Sequence, residues 1–464
     1  MTGNLKQKAL SYDFNLKTLF FILFFSPLFP EYVAAPMTWL SYPLFKRHCT
    51  LENKKVVFGE FGKIFFLYMI FQLVTVIWSG HKILTVAIAL MWMGMFLGQL
   101  TVTNMITKEE LLDRFMYTAS STSAVMGAIA LVQMGIYRLF PTDTIVAQKG
   151  VFDIAYAFNP FWRKLDDAVF SVIPIDILDI LEFDRALSTY SNPLLFASVS
   201  VMLVPFSVFR IFNEKSLKGK LIGVVCLGFA VGGIAASYSR GPSIAIVVVA
   251  AILLFYGLKK GLAVVIASVP FTIYLMIKMS GRFLEALMGD YAVQLRFDIW
   301  KASIEIIKEH WLLGVGCSTQ NTWDLIQGVY GIPQPHAHNI FLEIFVECGI
   351  FGILLFLAFT LIFAIDMIRT ARASEKGRLY AVTQLAAIFG FYACGLTDFV
   401  FLTPKELQIF MLVLGMAEAA KRIVFGSAKV SRGDYLAKRR EYKAGLAEKK
   451  QQRKTAGEAA KLGA

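Results

Sequence analysis

The stretch NIFLEIFVECGIFGILLFLAFTLIFAID, residues 339–366, decides the class of fold. It is longer than the roughly 20 apolar residues that cross a bilayer core, and its charged residues stand only near its two ends. Directly before it, PQPHAH (333–338) is polar and contains two of the five histidines of the chain. The sequence therefore predicts a transmembrane helix that begins at a polar loop.

Similar stretches recur along the whole chain. The 464 residues are 57% hydrophobic and 17% charged, with a mean hydropathy of +0.60. Soluble proteins, in contrast, have about 25% charged residues. We therefore predict an all-α fold, a polytopic membrane helical bundle. Ten spans are clear, at about residues 60–79, 82–104, 115–139, 190–212, 220–238, 241–257, 261–279, 339–366, 380–397 and 405–425.

The N-terminal region is harder to assign, because prolines interrupt residues 18–45. This stretch either crosses the membrane twice as short spans or forms a re-entrant hairpin. Two crossings would give about twelve transmembrane helices. We divide the chain into an N-terminus (1–17), a transmembrane catalytic bundle (18–425) and a basic tail (426–464).

The distribution of basic residues predicts the orientation. Segments 213–220, 258–260 and 369–378 and the tail are rich in Lys and Arg, so we place them, with both chain ends, in the cytoplasm. Loops 141–189 and 280–338 then lie outside, and the second has helical periodicity in part. The tail has too few large apolar residues for a core, and we expect it to contact anionic membrane lipids rather than nucleic acid.

Three residues on the external side are candidates for chemistry. Arg240 stands at the junction of two apolar spans, where an arginine is either functional or interfacial. Arg296 is either functional or a surface residue in an ion pair. His338 ends the external loop, where an imidazole can act as a base or cap the next helix. Two fixed cations beside one base would suit a lipid diphosphate and an incoming hydroxyl.

Four neighbours of His338 are possible supporting residues. His336 is a second candidate base, and the sequence does not decide between the two histidines. Asn339 is a candidate helix cap, and Glu343 and Glu347 lie one helical turn apart, so either they support the site or they pair with an arginine of a neighbouring span. We predict no metal and no cofactor, since carboxylates near the histidines are few and the five scattered cysteines indicate neither a disulfide framework nor a zinc site.

Three motifs in order resemble the O-antigen ligase and O-antigen polymerase superfamily of bacterial envelope glycosyltransferases. They are the Ser-Arg-Gly helix start in SYSRGPSIAIVV (237–248), the Arg-x-x-x-Trp helix and Gly-x-Gly turn in QLRFDIWKASIEIIKEHWLLGVGCST (294–319), and the His-Asn-x-x-Leu-Glu segment in HAHNIFLEIFVECGIFGILLFL (336–357). Residues 190–203 also resemble the span that precedes these motifs.

The resemblance implies a GT-C-like, inverting and metal-independent glycosyltransferase of the bacterial inner membrane, with its active site on the periplasmic face. It implies that Arg240 and Arg296 bind an undecaprenyl-diphosphate-linked glycan and that His338 activates a hydroxyl of the acceptor glycan. A ligase of lipopolysaccharide biosynthesis and a repeat-unit polymerase, whose acceptor is another lipid-linked glycan, would share this site. A polysaccharide transporter is a third hypothesis, but it would need more ionisable groups in mid-membrane.

Overall fold

The part of the chain described by the computed structural model contains helices and no strand, so the prediction of an all-α fold is confirmed. The described residues are 11–29, 31–51, 55–139, 185–190, 192–255, 291–332, 334–427 and 429–462.

Fourteen α-helices lie within these ranges. They are α1 (Tyr12–Phe25), α2 (Glu31–Leu51), α3 (Glu60–Val74), α4 (Lys82–Met105), α5 (Glu109–Leu139), α6 (Pro193–Asn213), α7 (Leu217–Ala236), α8 (Arg240–Phe255), α9 (Tyr291–His310), α10 (Thr319–Tyr330), α11 (Ile340–Ala371), α12 (Glu375–Gly395), α13 (Pro404–Phe425) and α14 (Arg432–Leu462). Short 3₁₀ turns follow α1 and α3, at Ser26–Leu28 and Thr75–Ile77.

Six of the described helices are long and apolar enough to cross a membrane: α3 with its 3₁₀ extension, α4, α5, α6, α7 and α11. The prediction of a polytopic membrane protein is therefore confirmed. The predicted span 261–279 and most of loop 141–189 lie outside the described residues, and the total of about twelve spans stays a prediction. The predicted helical content of loop 280–338 is confirmed by α9 and α10.

The last two predicted spans form α12 and α13, and most residues of both helices are buried. Every residue of α13 from Lys405 to Lys421 is buried, and the helix contacts α4, α11 and α12. Polar side chains are tolerated there because protein, not lipid, surrounds them. Helix α13 therefore lies in the interior of the bundle.

Residues 18–45 fall in a helical hairpin formed by α1 and α2. The turn between them includes Pro27, and α2 continues through Pro36 and Pro43. The hairpin packs on α5 through α1 and on α4 through α2. Whether it crosses the membrane stays a prediction, as do the boundaries of the three predicted regions. The basic tail forms α14, whose Tyr435 ring lies 6.0 Å from the Arg369 guanidinium.

A break inside α11 joins this helix to the loop between α9 and α10. Gly349 has φ 58° and ψ −162°. Only glycine adopts this conformation readily, so the backbone there leaves the helical path. The carbonyl groups of Val346 and Glu347 accept the N–H groups of Val315 and Gly316, each at 2.9 Å, and the N–H of Ile350 donates to the Trp311 carbonyl at 2.8 Å. We call this set of contacts the Gly349 interlock.

Gly314 and Gly349 permit the close approach that the interlock needs. A methyl group added at Gly314 would overlap the backbone of Glu347, and one added at Gly349 would overlap the Leu312 carbonyl. Since α9 contains Arg296 and α11 follows His338 directly, the interlock fixes the relative positions of these two candidates.

We expect Gly349→Ala to destabilise the protein. The left-handed backbone costs an alanine about 1–3 kcal/mol, and the overlap with Leu312 adds to that. Gly228→Ala in α7 is the matched control, because a methyl group there meets no atom within 4 Å and alanine suits a helix. Thermal unfolding in detergent measures both. A Gly349→Ala variant as stable as Gly228→Ala would contradict the role assigned to the interlock.

Candidate active site

The candidate residues meet at the turn between α12 and α13, residues 396–399, which we call the Asp398 turn. Arg296 of α9 donates from Nε to the Thr397 carbonyl at 3.1 Å. Asn339 donates from Nδ2 to the Leu396 carbonyl at 3.1 Å. Gly241, next to Arg240 at the start of α8, lies so close to Thr397 that a methyl group there would overlap its hydroxyl. The turn therefore gathers the elements that contain all three predicted site residues.

His338 is oriented from both sides of its ring. Its Nδ1 is 3.1 Å from Asp398 Oδ1 and its Nε2 is 3.0 Å from Gln334 Oε1. Its backbone has φ 47°, and its N–H donates to the Nδ1 of His336 at 3.2 Å. A positive φ is uncommon for histidine. The side chain is 18% exposed, so a substrate can reach it.

His336 is less suited to act as a base. Its side chain is 5% exposed, its Nδ1 is occupied by the His338 N–H, and its Nε2 lies 3.8 Å from Asp398 Oδ1. Burial, together with His338 and with the charge of Arg296, lowers the pKa of His336 to about 3, although Asp398 opposes this. The imidazole is therefore neutral at physiological pH, with one nitrogen already satisfied.

Asp398 was missed by the sequence analysis. Burial opposes its ionisation, but the charge and hydrogen bond of His338, then His336 and the Phe399 N–H, hold the pKa of this carboxyl well below its ordinary value. Asp398 is therefore an anion that accepts from the imidazole of His338. One signal was present: Asp398 is the sole charged residue between Arg378 and Lys405, and a lone charge between apolar spans is a functional-site hypothesis.

A third guanidinium lies beside the start of α8. Arg185 donates from Nε to the Ser237 carbonyl and from Nη2 to the Ser239 hydroxyl, both at 2.9 Å, next to Arg240. Between the two serines, Tyr238 has φ 48°. The sequence analysis did not single out Arg185, because it is one of several charged residues in a long loop.

Asn339, Glu343 and Glu347, the possible supporting residues, make contacts that hold the local structure together. Asn339 caps α11 by accepting the N–H groups of Phe341 and Leu342, at 2.9 and 3.2 Å. Glu343 accepts the Ala337 N–H at 2.6 Å, between the two histidines, and Glu347 contacts the Cys317 thiol at 3.7 Å. Neither glutamate has an arginine partner among the ion pairs of the described residues, and pairing with an arginine of a neighbouring span stays a prediction. Glu343 holds the histidine loop onto α11.

Within the described residues, two groups of side chains are close enough to hold a metal ion. In each group the potential ligand atoms lie within 4.8 Å of one another: His336, His338 and Asp398 in one, and Cys317 with the adjacent Glu347 and Cys348 in the other. In the first group, the hydrogen bond from the His338 N–H leaves His336 only Nε2 for a ligand bond. In the same group, His338 and Asp398 already form a hydrogen-bonded pair of a base and a carboxylate.

We expect acid to destabilise the protein through His336. Its pKa is about 3 when folded. In the unfolded chain the pKa of His336 is about 6.5, so the unfolded chain binds a proton at this residue before the folded protein does as the pH falls. The contribution of His336 to the free energy of unfolding is fully present above about pH 6.5 and declines toward pH 3. Between pH 7 and pH 5 the free energy of unfolding falls by about 2 kcal/mol through this group. Thermal unfolding of wild type and His336→Gln at both pH values measures it.

The His336→Gln variant should lose less stability than wild type over this pH interval, because it lacks the titrating ring. His310→Gln is the control, since His310 is exposed at the end of α9 and its removal should leave the pH dependence unchanged. Equal pH dependence in wild type and His336→Gln would show that His336 does not cause the acid sensitivity.

Comparison with known proteins finds a family similarity in the central part of the chain. Residues 222–357 match the model of the family described as O-antigen ligase. No curated protein matches the chain. The matched segment contains Arg240, Arg296 and the loop and helix start at 336–347, while Arg185 and Asp398 lie outside it. The match implies a glycosyltransferase-like activity in polysaccharide biosynthesis. The predicted resemblance to the O-antigen ligase and O-antigen polymerase superfamily is thus confirmed over residues 222–357 of this helical membrane protein.

Proposed function

We propose that the protein is an inverting glycosyltransferase that moves an undecaprenyl-diphosphate-linked glycan to an acceptor hydroxyl, as an O-antigen ligase does. The observation that supports this most is the geometry of His338. Its Nδ1 is held by Asp398, which belongs to the same turn that receives Arg296. A positioned base beside fixed cations is what the transfer requires.

His338, rather than His336, is the base in this proposal. With Nδ1–H donating to Asp398, Nε2 is the nitrogen that keeps a lone pair to accept a proton, and the side chain is 18% exposed. In this tautomer Nε2 is an acceptor, so the Gln334 amide would have to turn its NH2 group toward Nε2 in order to donate to it. The Gln334 side-chain atom 3.0 Å from Nε2 marks the position from which the acceptor hydroxyl would donate. Asp398 is a positioning residue: it fixes the tautomer and stabilises the imidazolium that forms, as the carboxylate of a Ser-His-Asp triad does.

In this proposal the arginines bind the diphosphate leaving group. The acceptor oxygen attacks the anomeric carbon, the bond from that carbon to the diphosphate oxygen breaks, and the hydroxyl proton passes to His338 Nε2. The released diphosphate takes the electron pair. The main task of the site is therefore to stabilise the negative charge of the diphosphate. Arg240 and Arg296 are assigned to it, and Arg185 joins them because it borders Ser239. No step of this scheme requires a metal.

The helix ends support a site on the external face. Helix α11 begins beside His338 and ends in the basic segment 369–378, and α12 begins in that segment and ends at the Asp398 turn. Site and basic residues therefore lie at opposite ends of both helices. Under the positive-inside rule, the basic segment and the C-terminus face the cytoplasm of a bacterial inner membrane and the site faces the periplasm.

A repeat-unit polymerase is the alternative, with a lipid-linked glycan as acceptor. It would use the same base and the same arginines, and only the acceptor would differ. The family match is compatible with both activities.

We expect single alanine substitutions of Arg240, Arg296 and His338 to reduce glycan transfer. Loss of the base costs about 10²–10⁴-fold in rate, and loss of an arginine leaves charge on the diphosphate uncompensated. The assay uses purified protein, an undecaprenyl-diphosphate-linked glycan and candidate acceptors. Arg439→Ala, in the tail helix α14, is the matched control and should retain full activity.

Products in cells separate the two activities. Accumulation of lipid-linked polymer without attached glycan indicates a ligase, whereas products limited to a single repeat indicate a polymerase. Normal surface glycan in cells with all three variants inserted at wild-type levels would refute the enzyme proposal.

Asp398→Asn should lower kcat by about 10²–10⁴-fold with little change in KM for the donor, because the tautomer of His338 is no longer fixed while the arginines remain. Asp398→Glu, which keeps the carboxylate, should recover part of the rate. If Asp398→Asn changed only stability and left kcat intact, Asp398 would have no positioning role.

A further inference from the structure

Two cysteines that are far apart in sequence meet at the Gly349 interlock. Cys317 lies between α9 and α10, Cys348 precedes the break in α11, and both are fully buried. Their Sγ atoms, with a carboxylate oxygen of Glu347, lie within 4.8 Å of one another. The sequence analysis did not indicate a disulfide, because sequence spacing does not reveal the interlock.

The backbone pairing sets the two cysteines opposite each other. The N–H of Val315 donates to the Val346 carbonyl, and the N–H of Gly316 donates to the Glu347 carbonyl. Cys317 and Cys348 are the next residues on each side in the same register. Paired backbones at hydrogen-bonding distance suit the Cα separation of about 4.4–6.8 Å that a disulfide spans.

The position of Cys348 along α11 places it at the membrane boundary. After the break, the helix continues through Ile350 to Ile368 and beyond. At a rise of about 1.5 Å per residue this stretch is about 28 Å long. A bilayer core is about 30 Å thick, so the segment before Gly349 stands at or above the surface, on the side of the candidate site. If that side is external, which rests on the proposed function, the compartment is oxidising.

We propose that Cys317 and Cys348 form a disulfide bond in the mature protein, which ties the loop after α9 covalently to α11. The oxidant is a disulfide-bearing thiol oxidoreductase of the external compartment. The Cys317 sulfur attacks its disulfide, giving a mixed disulfide and one oxidoreductase thiol. The Cys348 sulfur then attacks Cys317 Sγ, forming the Sγ–Sγ bond and releasing the second oxidoreductase thiol. Two electrons and two protons pass to the oxidoreductase.

The bond forms before the interlock closes, while the external loop is still reachable. After closure both sulfur atoms are buried. The hydrogen bond with Cys348 and burial hold the pKa of a free Cys317 thiol well above its ordinary value, so exchange in the folded protein is slow. The cross-link then secures α9, which contains Arg296, to the helix that follows His338.

Counting free thiols tests the proposal. Native membranes are quenched with acid, dissolved in denaturant with a metal chelator, and labelled with a maleimide polymer that shifts the gel mobility for each thiol. Wild type has five cysteines, so three should be labelled before reduction and all five after it. Cys317→Ser and Cys348→Ser should each show four labelled thiols in both conditions.

Cys226→Ser in α7 is the matched control and should show two labelled thiols before reduction and four after it. Five labelled thiols in unreduced wild type would overturn the proposal, and they are also the result expected of a chelatable metal held by the two cysteines and Glu347. The count is made on denatured protein, so a variant that folds poorly is still informative. Five free thiols in a protein that transfers glycan would refute the disulfide and leave the proposed function standing.

Discussion

The structure of the site depends on the break at Gly349. A helix that loses its regular path there leaves the carbonyl groups of Val346 and Glu347 without partners inside the helix, and buried carbonyls require hydrogen bonds. The loop after α9 supplies those bonds, and it can approach only because Gly314 has no side chain. The same backbone contacts therefore satisfy the broken helix and set α9 against α11.

The Asp398 turn is the second structure that positions the candidate residues, in addition to the interlock. It takes one hydrogen bond from α9 and one from the start of α11, and it lies against the start of α8. Below it, Phe401 packs on Trp92 of α4 and on Phe410 of α13, with ring centroids 5.0 Å apart in each case. The turn is short and anchored in the aromatic core, so Asp398 has little freedom. A base oriented by a rigid carboxylate needs no reorganisation at the moment of reaction.

The fold class followed from composition and apolar length, since a bilayer imposes both directly. Arg240 and His338 were predictable because each stands where a polar residue meets an apolar span, and Arg296 because it begins the Arg-x-x-x-Trp motif. The structure brings their elements together. Asp398 and Arg185 were missed because their importance lies in contacts with residues far away in sequence. The choice between His336 and His338 was open for a similar reason: burial and one backbone N–H distinguish two histidines that look alike in sequence. The break at Gly349 was hidden because a glycine in an apolar helix usually continues it.

The end of α11 opposite the site is also fixed, and this bears on the transporter hypothesis. Lys421 of α13 lies 3.0 Å from Asp366 of α11 and 2.8 Å from Glu418, all three within the buried interior. Separating α11 from α13 there would leave buried charges uncompensated, which is costly. At the other end, Asn339 holds α11 to the Asp398 turn. Alternating access requires one group of helices to rock against another. A central helix pair bound by polar contacts at both ends resists that motion, and it suits an enzyme whose base and cations must keep fixed distances.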